Sequence, residues 1–298
     1  MKVLITGAWQ CSAEEITKIE NLGNEVYFQQ DESATLTVDY STIEAVICNG
    51  LFLYHPIEKF EALKYIQLTS VGYDRVPMDY VREHGITIFN AGDTYSIPMA
   101  EYAIWGVLQL YKRTSFFIEN QESGNWKKHR NILELHGKRV CIIGCGNVGA
   151  ECARRFKAFG CSVVGIDKFI KEREFFDEIF ALDKINAELS KADIVILSIP
   201  LTEETNHFMN RERIKSLKAT AIIVNISRGQ ILDEKALIEE LGNIGGAVLD
   251  VFEQEPLSKN SPLWEMENVI ITPHNSFIGE GNSKRLSELI LRNLSKEI

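Results

Sequence analysis

The sequence lacks a surplus of positive charge. Its 298 residues include 32 Lys and Arg against 42 Asp and Glu, a formal net charge of -10 at pH 7. Surfaces that bind nucleic acids carry a basic face that neutralises phosphates. The acidic balance therefore argues against nucleic-acid binding, and we predict no nucleic-acid partner.

Long apolar runs are also absent. No stretch approaches the roughly 18 apolar residues of a membrane span. The apolar N-terminal stretch, residues 1–7, is too short and too soon interrupted to be a signal peptide. We therefore expect no membrane association and a cytoplasmic location.

None of the cysteines forms a C-x-x-C pair. Structural zinc sites need paired ligands such as C-x-x-C, so we expect no metal site. Reduced thiols, buried or half-buried, are the better interpretation, and they agree with a cytoplasmic location. The six cysteines are Cys11, Cys48, Cys141, Cys145, Cys152 and Cys161.

Apolar strand-like runs alternate with helical ones along the whole chain, which has no internal repeats. This alternation predicts right-handed βαβ units and parallel sheets, and the length allows two domains. The predicted strands are Lys2–Thr6, Glu25–Gln29, Ala45–Asn49, Tyr65–Thr69, Thr87–Asn90, residues 139–143, Ser162–Ile166, Ile194–Ile199, Ala221–Asn225, Gly246–Leu249 and Val269–Thr272. The predicted helices are Ala13–Leu22, Ile57–Leu63, Met99–Glu119, Ala150–Phe159, Asp183–Ser190, Arg211–Ser216, Asp233–Leu241 and Asn282–Glu297.

A glycine-rich turn follows the strand at residues 139–143. Gly144 permits a tight turn, Gly146 lets the backbone approach a pyrophosphate, and Gly149 lets helix and strand pack closely. The following helix offers unpaired N–H groups to phosphates. The order of strand, glycines, helix, strand and acid predicts a dinucleotide site, against the alternative of an ordinary glycine-rich turn.

The acid is Asp167, at the end of the next strand. Its carboxylate can accept hydrogen bonds from a ribose diol and repels a 2′-phosphate, which favours NAD over NADP. Lys168 next to it weakens this preference, so NADP stays the less favoured alternative.

Three further stretches carry candidate chemistry at predicted strand ends. Arg228 is placed to offer a planar fork to a carboxylate. The acids that follow Leu249 need a partner if buried, and a histidine is one candidate. Among the six histidines, His274 alone follows a strand that the doubly wound pattern brings near the cofactor.

Near the N-terminus, Val71 and Gly72 follow another predicted strand. A glycine there can expose backbone N–H groups to an anion, and a simple turn is an equal alternative.

Four stretches together resemble the D-isomer-specific 2-hydroxyacid dehydrogenases, and the resemblance covers nearly the whole chain. They are the Gly turn, Asn225–Gly229, Asp250–Pro256 and Thr272–His274. Val71–Asp74 resembles the family's substrate-carboxylate loop. Pro200–Thr205 resembles its loop beside the cofactor.

The resemblance implies a role for each matched position. Arg228 would bind the substrate carboxylate together with the backbone of Val71 and Gly72, His274 would act as acid and base, and Glu255 would orient His274 and favour its charged form. Asp250 would contact the nicotinamide amide. The implied cofactor-binding set is Gly144, Gly146, Asn147, Val148, Gly149, Asp167, Ile199, Pro200, Thr205, Ile226, Ser227 and Asp250.

The resemblance also implies an α/β architecture of two doubly wound parallel-sheet domains with a cleft between them. Residues 1–94 and 276–298 would form a flavodoxin-like substrate domain, and residues 95–275 a Rossmann NAD-binding domain. A homodimer through the NAD-binding domain would bury the helix after Pro98. That helix has more apolar residues than one amphipathic face needs, which predicts burial on two sides.

The function expected is therefore NAD-dependent hydride transfer between a 2-keto acid and a D-2-hydroxy acid. Two alternatives use the same fold: an NAD(H)-sensing binding protein resembling the co-repressors, and a phosphite or formate dehydrogenase. The apolar residues 51–54 favour a bulky or apolar substrate unless they are packed core.

Overall fold

The structure is a computed structural model that describes residues 1–297, with side chains described to residue 295. The chain divides into two compact units: Met1–Tyr95 with Gly279–Ile298, and Ser96–Ile278. The predicted boundaries were residues 94 and 275. Both units are parallel sheets with connecting helices, which confirms the predicted fold class.

The first unit contains a five-stranded sheet in the order β2-β1-β3-β4-β5. This is the flavodoxin-like order. Its strands are β1 (Lys2–Thr6), β2 (Glu25–Gln29), β3 (Ala45–Cys48), β4 (Tyr65–Leu68) and β5 (Thr87–Phe89), and its helices are α1 (Ala13–Asn21), α2 (Met78–Glu83) and, at the C-terminus, α9 (Asn282–Glu297). Strands β3 and β4 are buried at every residue, as expected of strands covered on both faces.

The C-terminal helix belongs to the first unit. Ile290 and Leu294 lie in one apolar cluster with Val3 and Ile5 of β1. Burying such side chains stabilises the fold by roughly 1.5–3 kcal/mol each. This packing explains why the last twenty residues join the start of the chain.

The second unit contains a seven-stranded parallel sheet in the order β12-β11-β10-β9-β6-β7-β8. Read from β8, this is the Rossmann order with one added strand. Its strands are β6 (Arg139–Ile143), β7 (Ser162–Ile166), β8 (Glu178–Phe180), β9 (Ile194–Leu197), β10 (Ile222–Asn225), β11 (Gly246–Leu249) and β12 (Val269–Ile271). Its helices are α3 (Ser96–Tyr111), α4 (Thr114–Glu122), α5 (Asn147–Ala158), α6 (Ile185–Leu189), α7 (Arg211–Lys215) and α8 (Glu234–Glu240).

Two helix predictions were wrong. The long helix predicted from Met99 is two helices, because Arg113 adopts a left-handed backbone (φ 54°) and breaks the hydrogen-bond ladder between α3 and α4. The helix predicted at Ile57–Leu63 is a single 3₁₀ turn, Ile57–Lys59. It ends because Phe60 leaves the helical region (ψ 66°), and the buried side chains Ile57 and Phe60 already anchor the turn.

Two short elements escaped prediction. Helix α2 has only six residues and strand β8 only three, and neither has an apolar run long enough to reveal its period. Within residues 1–297, no helix is both long and apolar enough to cross a membrane.

Candidate active site

The glycine-rich turn joins β6 to α5 at the carboxyl edge of the seven-stranded sheet. Gly144 has φ 97°, a backbone conformation that favours glycine. A Cβ at Gly149 would lie 2.0 Å from the Gly144 carbonyl oxygen, so the helix approaches the turn too closely for any side chain. At Gly146, by contrast, no atom lies within 4 Å of a Cβ position.

This turn fits a bound pyrophosphate. Gly146 and Asn147 are exposed, and no side chain caps the helix at Gly146. The N–H groups of Asn147 and Val148 make no hydrogen bond within the described residues. Unpaired N–H groups at the start of a 12-residue helix attract phosphate through the helix dipole.

Asp167 is tied to the glycine turn. One carboxylate oxygen accepts from the Cys145 N–H (2.7 Å), and the other accepts from the Phe169 N–H (2.9 Å). Ser198, at the end of β9, donates to the Gly144 carbonyl (2.8 Å). Sequence analysis missed Ser198, because a serine after a strand has no distinctive spacing.

Cys145 carries a neutral thiol inside the turn. It is 5% exposed, and burial raises the pKa of its thiol to about 12. The thiol therefore adds no negative charge beside the predicted phosphate site at neutral pH.

The loop after β9 carries three of the predicted cofactor contacts. Ile199 is half-buried and Pro200 is exposed. The Thr205 hydroxyl donates to the Pro200 carbonyl (2.7 Å) and accepts from the Thr202 N–H (2.7 Å). Thr205 therefore closes its own loop, and its predicted contact with a cofactor stays a prediction.

Asn225 shapes the loop that carries Arg228. Its side chain is fully buried, donates to the Arg228 carbonyl (3.0 Å) and accepts from the N–H and hydroxyl of Ser227. Ile226 is 1% exposed and packs in the core, so only its backbone is available to a ligand. Sequence analysis gave no role to Asn225, although a buried amide at a strand end indicates a hydrogen-bonded turn.

Gly229 lets this loop pack closely against the loop after β11. A Cβ there would lie 1.9 Å from the Phe252 carbonyl carbon and 2.4 Å from the Glu253 nitrogen. Arg228 is half-buried and donates to the Ser227 carbonyl (2.8 Å). The absence of a side chain at Gly229 thus sets Arg228 beside the segment that leads to Glu255.

Asp250 organises the loop that carries His274. Its carboxylate is fully buried and accepts from the Thr272 hydroxyl (2.7 Å), the Asn275 N–H (2.7 Å) and the Ser276 N–H (2.9 Å). The predicted contact of Asp250 with a nicotinamide amide stays a prediction, since these three donors already occupy most of the carboxylate.

Tyr102 of α3 supports the same loop. Its hydroxyl donates to the Thr272 hydroxyl. Burial raises the pKa of Tyr102 to about 12, and the nearby Asp250 carboxylate acts in the same direction. The neutral phenol therefore stays a hydrogen-bond donor at physiological pH.

His274 and Glu255 form a hydrogen-bonded pair. The imidazole Nδ1 lies 2.8 Å from Glu255 Oε2, and Glu255 Oε1 accepts from the Phe252 N–H (3.1 Å). His274 has φ 51°, an uncommon backbone for a residue with a side chain, and its N–H donates to the Asp250 carbonyl (2.8 Å). The imidazole Nε2 has no hydrogen-bond partner within the described residues.

A second histidine–carboxylate pair lies near the same edge. His207 Nε2 lies 3.0 Å from Glu253 Oε1. The sequence alone does not single out His207, because it lies in a predicted loop, and only folding brings it to Glu253. Unlike His274, it has its Nε2 engaged by the carboxylate.

Val71 and Gly72 follow β4 in the first unit. Asn90 Nδ2 donates to the Val71 carbonyl (2.7 Å), and Ser70 Oγ donates to the Gly72 carbonyl (3.2 Å). The N–H groups of Val71 and Gly72 donate to no acceptor in the described part of the chain. The turn therefore has donors available for an anion.

The second unit thus combines, at one sheet edge, a glycine-rich turn with unpaired N–H groups, an arginine and a histidine oriented by a carboxylate. The family profile "D-isomer specific 2-hydroxyacid dehydrogenase, NAD binding domain" matches residues 104–276. The chain belongs to the D-isomer-specific 2-hydroxyacid dehydrogenase family.

Named relatives of this chain are dehydrogenases and reductases. It is 38% identical over 244 residues to D-3-phosphoglycerate dehydrogenase of Methanocaldococcus jannaschii, covering 80% of this chain and 46% of that protein. It is 34% identical over 263 residues to a glyoxylate reductase of Korarchaeum cryptofilum, covering 83% and 79%. The chain therefore spans about half the length of the first relative and most of the second.

A solved D-lactate dehydrogenase has the same fold. D-lactate dehydrogenase from Aquifex aeolicus, complexed with NAD and lactic acid, superposes with a TM-score of 0.80 at 25% identity. The superposition covers 99% of this chain and 95% of that one.

The glycine turn yields a test that separates folding from cofactor binding. We expect Gly146→Ala to keep the melting temperature but to weaken NADH binding by about tenfold or more, because the methyl group meets a pyrophosphate and not the protein. Gly149→Ala should lower both the melting temperature and the affinity for NADH, because its Cβ meets the Gly144 carbonyl. Differential scanning fluorimetry and isothermal titration calorimetry measure the two effects. Wild-type NADH affinity in Gly146→Ala would contradict the assignment.

Asp250 yields a test of stability. We expect Asp250→Ala to lower the free energy of unfolding by at least about 2 kcal/mol, because it leaves three donors of the His274 loop without their acceptor. Urea denaturation measures the change. Asp183→Ala, which removes an exposed carboxylate, is the control. Equal stability of the two variants would show that Asp250 does not hold the loop.

Proposed function

We propose that this protein is an NAD-dependent oxidoreductase that interconverts a 2-keto acid and a D-2-hydroxy acid. The observation that carries the proposal is the His274–Glu255 pair, with Nδ1 held at 2.8 Å and Nε2 left for a substrate oxygen. Arg228 and the glycine turn follow strands of the same parallel sheet, so all three lie at its carboxyl edge.

His274 is the proposed acid and base. Glu255 accepts a hydrogen bond from Nδ1 and fixes the orientation of the ring. In the reductive direction, Nε2 would donate a proton to the carbonyl oxygen of the keto acid. In the oxidative direction, it would remove the proton from the hydroxyl group.

Arg228 is the proposed carboxylate-binding residue. A guanidinium presents a planar fork of donors that matches a carboxylate. Asn225 and Gly229 fix the backbone on both sides of Arg228. The charge of Arg228 would also polarise the adjacent carbonyl group. Val71 and Gly72 would supply further N–H donors to the carboxylate.

The glycine turn and Asp167 are the proposed cofactor-binding residues. Asn147 and Val148 would bind the pyrophosphate through their N–H groups, and Asp167 would accept from the ribose diol. A bound nicotinamide supplies or accepts the hydride. Asp167 favours NAD, because a carboxylate repels the 2′-phosphate of NADP.

Two activities named among the relatives support this substrate class, D-3-phosphoglycerate dehydrogenation and glyoxylate reduction. 3-Phosphoglycerate is a 2-hydroxy acid and glyoxylate is a 2-oxo acid. Of the apolar residues 51–54, Leu51 and Phe52 pack in the core of the first unit, whereas Leu53 and Tyr54 are 60% and 57% exposed. They are available to contact a side chain of the substrate.

His274→Ala tests the proposal. Removing a general acid and base should lower kcat/KM for the best 2-keto acid by about 10²–10⁴-fold. His207→Ala, which removes the neighbouring histidine–carboxylate pair, should change kcat/KM by no more than about twofold. The measurement is NADH oxidation with glyoxylate, pyruvate, hydroxypyruvate, and branched-chain and aryl 2-keto acids.

Three outcomes would reject this assignment. Near-normal turnover by His274→Ala would remove the acid–base role. Tight NADH binding by the wild-type protein without turnover of any 2-keto acid would indicate an NAD(H)-sensing protein. Oxidation of formate or phosphite alone would indicate the other use of this fold.

We also propose that the protein is a homodimer that buries α3 and α4. Trp105, Phe117 and Ile118 on these helices are 42%, 40% and 49% exposed. The opposite side of α3 packs on its own sheet, where a Cβ at Gly106 would lie 2.4 Å from Val248 Cγ1. Large apolar side chains on the outer side of these helices fit a second apolar surface, and a copy of the same helices supplies one by symmetry.

Substitution of this surface tests the dimer. The double variant Trp105→Lys/Phe117→Lys should sediment as a monomer, because two charges would lose hydration in the interface. Trp264→Lys is the control, since Trp264 is 53% exposed on a different loop. Analytical ultracentrifugation measures the mass. A wild-type monomer, or a double variant that stays dimeric, would contradict the proposal.

A further inference from the structure

Two loops flank the glycine turn and are joined by an ion pair. In the seven-stranded sheet, β6 lies between β7 and β9, so the loops after β7 and β9 lie on either side of the turn after β6. Lys168 follows β7, Glu204 lies in the loop after β9, and Lys168 Nζ is 3.2 Å from Glu204 Oε2. This pair therefore bridges the two sides of the predicted cofactor site.

Both members of the pair are set by fixed neighbours. Asp167, which precedes Lys168, is held at both carboxylate oxygens by Cys145 and Phe169. Thr205, which follows Glu204, holds its loop in place through hydrogen bonds with Thr202 and Pro200. The Lys168 and Glu204 side chains are 63% and 78% exposed. Their backbone is thus ordered, while the charged groups reach solvent where a ligand would meet them.

The position of the pair relates it to the adenosine ribose. Asp167 is the residue expected to accept from the ribose diol, so a 2′-phosphate on that ribose would lie beside Asp167 and Lys168. Lys168 alone would attract such a phosphate. Glu204 pairs with Lys168 and neutralises its charge, so the cation is not available to the phosphate.

We infer that Glu204 is a cofactor-specificity residue that makes Lys168 unavailable to the 2′-phosphate and so favours NAD over NADP. The inference deepens the proposed function, on which it rests for the placement of the ribose. A merely structural ion pair would link the two loops but would not discriminate between the two cofactors.

Binding of NADPH and NADH to the full chain tests this role. Glu204→Gln keeps the size of the side chain and removes its charge, so the affinity for NADPH should rise about three- to tenfold. The affinity for NADH should change by less than about twofold, because NADH has no phosphate at this position. Isothermal titration calorimetry measures both affinities and needs no turnover.

Matched variants make the result specific. Glu203→Gln removes an adjacent exposed carboxylate that forms no ion pair within the described part of the chain, and it should leave the NADPH to NADH affinity ratio unchanged. Adding Lys168→Gln to Glu204→Gln should abolish the gain in NADPH affinity, because the released cation is then missing. Melting temperatures of all variants check that they fold.

The outcomes separate this inference from the proposed function. An unchanged ratio in Glu204→Gln, an equal gain in Glu203→Gln, or a gain that survives Lys168→Gln would overturn it. Failure of the wild-type protein to bind either cofactor would overturn it too. Retained turnover in His274→Ala would reject the catalytic assignment but would leave the cofactor result standing.

Discussion

The candidate site depends on the hydrogen bonds that the fully buried carboxylate of Asp250 accepts. A buried negative charge is costly unless donors surround it, and here the Thr272 hydroxyl and two backbone N–H groups do so. The same loop gives His274 its left-handed backbone, which costs about 1–3 kcal/mol and persists only because its surroundings fix it. Asp250 thus acts indirectly on the proposed proton-transfer geometry: it holds the loop, the loop holds His274, and Glu255 orients the ring.

Close backbone contacts made possible by glycines are the second constraint. Gly149 brings α5 against the turn after β6, and Gly229 brings the Arg228 loop against Phe252. In both places a methyl group would meet backbone atoms, which cannot move aside as a flexible side chain can. These two glycines therefore fix the spacing between the predicted phosphate, carboxylate and proton-transfer groups, although neither contributes a functional group.

Local patterns in the sequence predicted much of this molecule. Buried parallel strands are continuous apolar runs between turn residues, so β1, β7 and β11 begin and end where expected. Strand β2 also has its predicted bounds, although it lies at the edge of its sheet and none of its residues is buried. The C-terminal helix α9 also has its predicted bounds, because its apolar residues follow a helical period. No local pattern predicted the break at Arg113, because the residue with the left-handed backbone is an arginine and no glycine or proline marks the position.

The sequence by itself determined the two doubly wound sheets, the glycine turn and which of the strands end in Arg228, Asp250 and His274. These depend on residue type and spacing over ten or twenty residues, where local geometry dominates. Only the tertiary structure decided that Asp250 is buried under the His274 loop, that Asn225 holds the Arg228 loop, and that Lys168 meets Glu204. Each of these contacts links two loops or the two ends of one loop. Such contacts depend on the order of the strands in the sheet and on how closely the loops pack, and residue spacing encodes neither.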